Sequence, residues 1–238
     1  METNNTSNHI SHKFDQEMED LRSKVLKMGG LVEQQISGAI DSLQSVNAIG
    51  AEEIILRDHK VNTLEVKIDE ACTQILARRQ PAASDLRMVI AVIKTITDLE
   101  RIGDEAEKIA KMALSLAEDD VGFNSRYAGI RHLGAHVLQM VHDVLDAYAR
   151  QDVDAAVKVV RDDDQADEEY QNLMRLLITF MIEDPRRISE VLDVLWAARA
   201  LERIGDHAKN IGEYVIYLVK GKDIRHLDLD EVEKDILS

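Results

Sequence analysis

The hexapeptide Leu-Glu-Arg-Ile-Gly-Asp occurs twice in this chain of 238 residues, at Leu99 to Asp104 and at Leu201 to Asp206. An unchanged repeat about a hundred positions apart marks an internal duplication, so the secondary structure adopted by one copy is expected of the other. Further pairs widen the match. Arg57-Asp58 pairs with Arg161-Asp162, Glu65 with Glu169 and Pro81 with Pro185, each 104 positions apart. Glu100 and Asp104 pair with Glu202 and Asp206 at 102, which places a short insertion or deletion between proline and motif. The two prolines of the chain thus fall at equivalent turns.

Apolar residues recur at helical spacing almost throughout, and no stretch alternates as a strand would. The pattern predicts helices over 14–47, 52–79, 84–118, 126–150, 154–182 and 186–220. Turns are expected at Asn47-Ala48-Ile49-Gly50, Gln80-Pro81, Val121-Gly122-Phe123-Asn124, Gln151-Asp152 and Asp184-Pro185, with Ser84 and Asp184 as N-caps. The expected fold is all-α: six long helices in two tandem, pseudo-symmetric three-helix bundles, 14–121 and 122–226. A polar segment, 1–13, is expected as a disordered tail, and an acidic tail covers 227–238.

Hydrophobic residues make up 45% of the chain, enough for a packed core, and the formal net charge is −16. Such a surface repels nucleic acid and an anionic bilayer, and favours cationic ligands or protein partners. The single cysteine, Cys72, excludes an intramolecular disulfide, suits a reducing cytosol, and reads as a small buried apolar residue. The start of the chain lacks the apolar core of a signal peptide, and no apolar run reaches the length of a membrane span. A cytoplasmic protein without direct membrane insertion is expected.

The chemistry concentrates on the repeated motif. Its glutamate and aspartate, four residues apart, project about 40° from each other on one helix face and repel unless a cation, a proton or water compensates them. Leu86, Val89, Ile93, Ile96, Glu100, Asp104 and Glu107 share one stripe, apolar first and acidic beyond. Ile188, Val191, Leu195, Ala198, Glu202 and Asp206 repeat it, and Lys209 follows where the first half has Glu107. The preceding helix carries a second acidic row, of which Asp58/Asp162 and Glu65/Glu169 survive duplication, whereas Asn62/Ala166 and Asp69/Leu173 do not. Four carboxylates per half, Asp58, Glu65, Glu100 and Asp104, then Asp162, Glu169, Glu202 and Asp206, form an oxygen-only donor set suited to hard or borderline metal ions. Gly103 and Gly205 cost the helix about 1 kcal/mol each relative to alanine, which suggests a close approach by a backbone or a ligand. His207 points about 100° from Asp206 and reads as a surface histidine. Arg101 and Arg203 read as surface ion-pair partners, and Arg78-Arg79 and Arg186-Arg187 as helix-end arginines.

Taken together, Arg79-Gln80-Pro81-Ala82-Ala83-Ser84-Asp85-Leu86-Arg87, Asp98 to Asp104, Leu201 to Asp206, Asn210-Ile-Gly-Glu-Tyr-Val-Ile-Tyr217 and Gly221-Lys-Asp-Ile-Arg-His226 resemble the PhoU family of phosphate-uptake regulators. The resemblance covers roughly Phe14 to Leu227. It implies paired three-helix bundles, a homodimer or higher oligomer, and no catalytic activity. It also implies a cytoplasmic negative regulator of phosphate uptake and of the phosphate-starvation response. Such a regulator links the ATPase side of a phosphate ABC transporter to a membrane sensor histidine kinase, and is recruited to the membrane through these partners. Some members bind iron, zinc, manganese or magnesium through the duplicated acidic motif, which here is Glu100, Asp104, Glu202 and Asp206. Two other readings compete. One is a carboxylate-bridged metal oxidase or hydrolase, against which stand the missing Glu-x-x-His pairs and the lack of a positioned base. The other is a purely structural helical scaffold whose acids only keep it soluble.

Overall fold

The computed structural model of the chain describes residues 3–79, 81, 83–118, 127–225, 227 and 229, with side chains from residue 14 onward. The elements are α1 (Thr3–Ser45), α2 (Ala48–Arg57), α3 (His59–Arg79), α4 (Ala83–Glu118), α5 (Ala128–Arg150), α6 (Val153–Glu183) and α7 (Ile188–Lys220), with a short 3₁₀ turn at Pro185–Arg187 before α7. Among the described residues there is no strand, so the all-α expectation holds. The expected turn at Val121 to Asn124, Gln80, and most of the acidic tail lie outside the described residues.

Boundaries differ from the sequence reading in instructive places. The backbone of α1 is helical from Thr3, inside the segment expected as a tail. The expected second helix is two, because the regular helical bonding is interrupted at Asp58. There the Val61 N–H reaches the Asp58 carbonyl at 2.9 Å, a tightened i to i+3 bond, while the Asn62 N–H lies at 3.3 Å. The turn before α2 is carried by Val46, at φ 50°, and Asn47, whose side-chain oxygen caps the Gly50 N–H at 3.2 Å. Ala48 to Gly50 are therefore already helical. Ser84 likewise lies within the first turn of α4 rather than at its cap. Asp184 caps the 3₁₀ turn as expected, and Asp152 caps α6 by accepting from the Ala155 N–H. Gly221 closes α7 at φ 72°, a left-handed position that glycine adopts without strain.

The two motif helices, α4 and α7, form the most extensive helix pair and join the halves. They run antiparallel: Lys94 lies over the rings of Tyr214 and Tyr217, Asp98 meets His207 and Asn210, Glu105 meets Arg203, and Ser115 meets Asp193. α1, α2 and α3 pack on α4, while α5 and α6 pack on α7, and α1 also touches α5. Each half thus lays its own helices against one flank of its motif helix and leaves the other flank for the partner half. A single apolar core runs through both, with Leu99, Ile102, Leu201 and Ile204 at its centre. Cys72 is fully buried in it, as its apolar reading anticipates.

Candidate metal centres

Each residue of the repeated hexapeptide has a separate task. Its leucine and isoleucine are core residues at 0–1% exposure. Its glutamate and aspartate face the flank occupied by the preceding helix of the same half. Its arginine faces outward or across: Arg101 is exposed, whereas Arg203 reaches the buried Glu105 of α4 at 3.1 Å. Arg203 is thus an exposed ion-pair partner, as expected, and the carboxylate it meets is a buried one on the other half.

The glycine makes room for a carboxylate. A Cβ on Gly103 would lie 3.2 Å from Asp58 Oδ1 and 3.3 Å from Gln35 Oε1; one on Gly205 would lie 3.6 Å from Asp163 Oδ1, with Met140 and Ala166 beyond. The close neighbours are thus side chains of the preceding helices, not a backbone. Substitution by alanine tests this contact. Gly205→Ala is expected to raise stability by about 1 kcal/mol, because a 3.6 Å contact is ordinary and helix propensity improves. Gly103→Ala is expected to gain nothing or to lose stability in urea denaturation, because its methyl crowds two buried oxygens. Equal gains in both variants would rule out a tight Asp58–Gly103 contact.

These neighbours also correct the register of the duplication. Gly103 and Gly205 are equivalent, so Asp58 matches Asp163, Val61 matches Ala166 and Gln35 matches Met140, each pair 105 positions apart rather than 104. The second cluster is accordingly built from Asp163 and Asp167, with Glu202 and Asp206, and not from Asp162 and Glu169. Glu169 turns to α5, where His136 Nδ1 lies 3.2 Å and His132 Nε2 3.4 Å from its Oε1.

In the first half the four predicted carboxylates lie near enough to raise one another electrostatically. Asp58, at the junction of α2 and α3, is held by Gln35 Nε2 at 3.3 Å and Asn62 Nδ2 at 2.9 Å. Burial first, then Asp104, Glu65 and Asp58, push the Glu100 carboxyl above the usual range. Burial, Asp58 and nearby Glu107 do the same to Asp104 against the opposing pull of Lys108, and Glu65 rises through burial, Asp69 and Asp104. Two amide oxygens, Gln35 Oε1 and Asn62 Oδ1, are buried there without a hydrogen-bond partner. In the second half burial and Asp206 push Glu202 up to about 7, while Asp206, Asp163 and Asp167 are also raised, each chiefly by burial. Here cations intrude: Lys209 Nζ lies 2.7 Å from Asp163 Oδ2 and Arg199 Nη1 2.6 Å from Glu202 Oε1. Glu202 Oε2 is buried without a partner.

The mutually repelling oxygens, buried at Asp58 and Asp163 and partly buried at most of the others, fit a hard or borderline cation by donor type, and the orphaned amide oxygens of the first half are neutral donors such an ion uses. Among the described residues, no three His, Cys, Asp or Glu side chains already close on a common point. An ion would have to draw the repelling carboxylates inward.

Periodicity missed the opposite flank of the motif helices. Asp98 and Glu105 are buried on α4, and His207, expected at the surface, is buried on α7 with Nδ1 2.7 Å from Asp98 Oδ1. The signal was present in the sequence: Asp98 and Glu105 lie on the flank of α4 away from the Glu100/Asp104 stripe, with apolar residues at Leu99, Ile102 and Ala106 between. No helix of the described residues is long and apolar enough to cross a membrane.

Comparison with known proteins agrees with the duplication. The PhoU domain family matches residues 25–113 and again 130–215, starts 105 positions apart and ends 102 apart. Those offsets are the ones the glycine contacts give. The chain is 49% identical to the phosphate-specific transport system accessory protein PhoU homolog of Pseudomonas aeruginosa, over 97% of this chain and 95% of that one. It is 47% identical to the phosphate-specific transport system accessory protein PhoU of Escherichia coli, over 98% and 96%. The crystal structure of PhoU from Pseudomonas aeruginosa superposes with a TM-score of 0.85 at 50% identity, covering 88% of this chain and all of that one.

Proposed function

The chain belongs to the PhoU family, and from that premise we propose that it is a regulator of phosphate uptake that restrains transport and the phosphate-starvation response when phosphate is plentiful. The carrying observation is near-half identity, along almost the whole chain, to proteins named as accessory to phosphate-specific transport. Those relatives are named as accessory proteins rather than enzymes. In this reading the chain is a cytoplasmic adaptor, a homodimer or higher oligomer, between the ATPase side of a phosphate ABC transporter and a sensor histidine kinase. Its carboxylate clusters hold divalent or trivalent ions such as iron, zinc, manganese or magnesium, centred on Glu100 and Asp104 and on Glu202 and Asp206. The absence of a membrane-spanning helix among the described residues is consistent with recruitment through partners.

Deletion of the gene is expected to switch on phosphate-starvation genes in phosphate-rich medium; unchanged expression would exclude the regulatory role. Affinity capture from solubilised membranes is expected to enrich transporter and kinase, and failure to enrich either removes the adaptor role. Elemental analysis of protein purified without chelator is expected to show bound metal that is depleted in Glu100→Ala/Asp104→Ala.

A further inference from the structure

The same domain family matches both halves, yet their carboxylate clusters differ in how their charge is compensated. In the first, Asp58, Glu65, Glu100 and Asp104 form no ion pair within 4 Å among the described residues, and Lys108 bonds Glu105 instead. Its hydrogen-bond donors are two neutral amides, Gln35 and Asn62. Gln35 is 3% exposed, and its Oε1, which has no partner, lies 3.3 Å from where a Gly103 Cβ would sit, at the turn that joins Glu100 to Asp104. The second cluster has the apolar Met140 in place of Gln35 and gains Lys209, whose equivalent in the first half is Glu107. The Lys209 ammonium sits on Asp163, whose side chain is 3% exposed, and the Arg199 guanidinium sits on Glu202.

We infer that Lys209 is a resident cation of the second cluster, so that divalent metal fills the Glu100/Asp104 cluster first and enters the Glu202/Asp206 cluster only by displacing the lysine from Asp163. An ammonium 2.7 Å from the buried Asp163 carboxylate already compensates charge that an ion would otherwise neutralise, and a divalent ion brought to that carboxylate is repelled by the ammonium beside it. Glu202 Oε2 remains a free donor, so the second cluster is weakened rather than abolished. The inference rests on the metal reading above. It adds that the duplicated clusters are not equivalent: one responds to metal at low concentration, and the other keeps part of its charge compensated by Lys209 and Arg199 until metal is abundant.

Calorimetric titration of chelator-stripped full-length protein with Mn²⁺ decides it. The wild type is expected to show a tight class of sites, removed by Asp104→Asn, and a class at least tenfold weaker, removed by Asp206→Asn. Lys209→Gln is expected to strengthen the weaker class by tenfold or more and leave the tight class unchanged. Lys209→Arg, which keeps the charge, is expected to retain the wild-type difference and controls for misfolding, as does an unchanged thermal transition. Equal affinity of the two classes in the wild type, or no effect of Lys209→Gln, overturns the inference and leaves the metal reading standing. No Mn²⁺ binding to either cluster overturns both.

Discussion

Truncation of Asp98 to alanine is expected to lower stability by about 2–4 kcal/mol and to uncouple the two halves, because it removes a buried hydrogen-bond acceptor and strands its partners. The Asp98 carboxylate accepts from His207 Nδ1 at 2.7 Å and from Asn210 Nδ2 at 3.2 Å, all across the α4/α7 interface. The Tyr214 hydroxyl is a further partner, and burial together with Asp98 holds its pKa above the ordinary phenol range. The buried His207 Nε2 has no partner of its own, so losing Asp98 would leave the imidazole bare on both sides. Asp98→Asn keeps an acceptor and is expected to lose about 1–2 kcal/mol. Urea denaturation can read both effects. Trp196, the only tryptophan, reports on α7, whereas far-ultraviolet circular dichroism reports on both halves. Coincident transitions are expected for the wild type and separated ones for Asp98→Ala. A loss below about 1 kcal/mol, with transitions still coincident, would show that the apolar contacts between α4 and α7 suffice without this network.

Chelator-treated protein is expected to be most stable near pH 5 and to weaken by roughly 2 kcal/mol or more as pH rises toward 8, opposite to a protein held together by carboxylate ion pairs. Glu202 illustrates the sign. Its carboxyl is pushed up from an ordinary 4.5 to about 7 by burial and by Asp206, so between those values the folded state keeps a proton that the unfolded chain releases. Stability is therefore fully present below about 4.5 and lost as pH rises through 7. Glu65, Glu100, Asp104, Asp163, Asp167 and Asp206 shift in the same direction and add to the slope. The acid side is set by Asp223, lowered to about 2 by Arg225, and by Glu190 and Asp184, lowered by their arginine partners; their contribution is lost as pH falls through their folded values. Glu202→Gln is expected to be more stable than the wild type by about 2 kcal/mol at pH 8 and to converge on it below about pH 4.5, read from urea midpoints across the range. A variant that tracks the wild type at every pH would mean that Glu202 titrates normally in the folded protein.

Both expectations concern polar groups buried by helices other than their own, and that divides what was legible from what was not. Glu100 and Asp104 could be placed on one face because four residues fix an angle within a single helix. Asp58 and Glu65 could be placed beside them because the acids flank an apolar row. The register of the second half went astray by one residue because it was matched on charges. Arg161-Asp162 reproduces Arg57-Asp58 at an offset of 104, but surface charges drift freely between duplicates. The apolar row is the better witness: at 105, Val61, Ile68 and Cys72 fall on Ala166, Leu173 and Leu177, all buried. One residue of slip rotates a helix by 100°, enough to put Asp162 in place of Asp163, Ala166 in place of Asp167 and Glu169 in place of Tyr170.

By itself, then, the sequence determined the helical class, the duplication, the motif helices and the face on which each Glu-x-x-x-Asp pair lies. These follow from local periodicity and repetition along one chain. The tertiary structure alone decided what the repeated Leu-Glu-Arg-Ile-Gly-Asp meets. α4 and α7 run antiparallel against each other, which buries Asp98, Glu105 and His207 between the halves and leaves Glu100/Asp104 and Glu202/Asp206 to the helices beneath. The motif's glycine admits an aspartate from the preceding helix, and Lys209 reaches that aspartate in one half only. A helix's period specifies directions around its own axis. Which neighbour stands in each direction depends on packing between helices distant in sequence, and for charged groups that neighbour sets the energy.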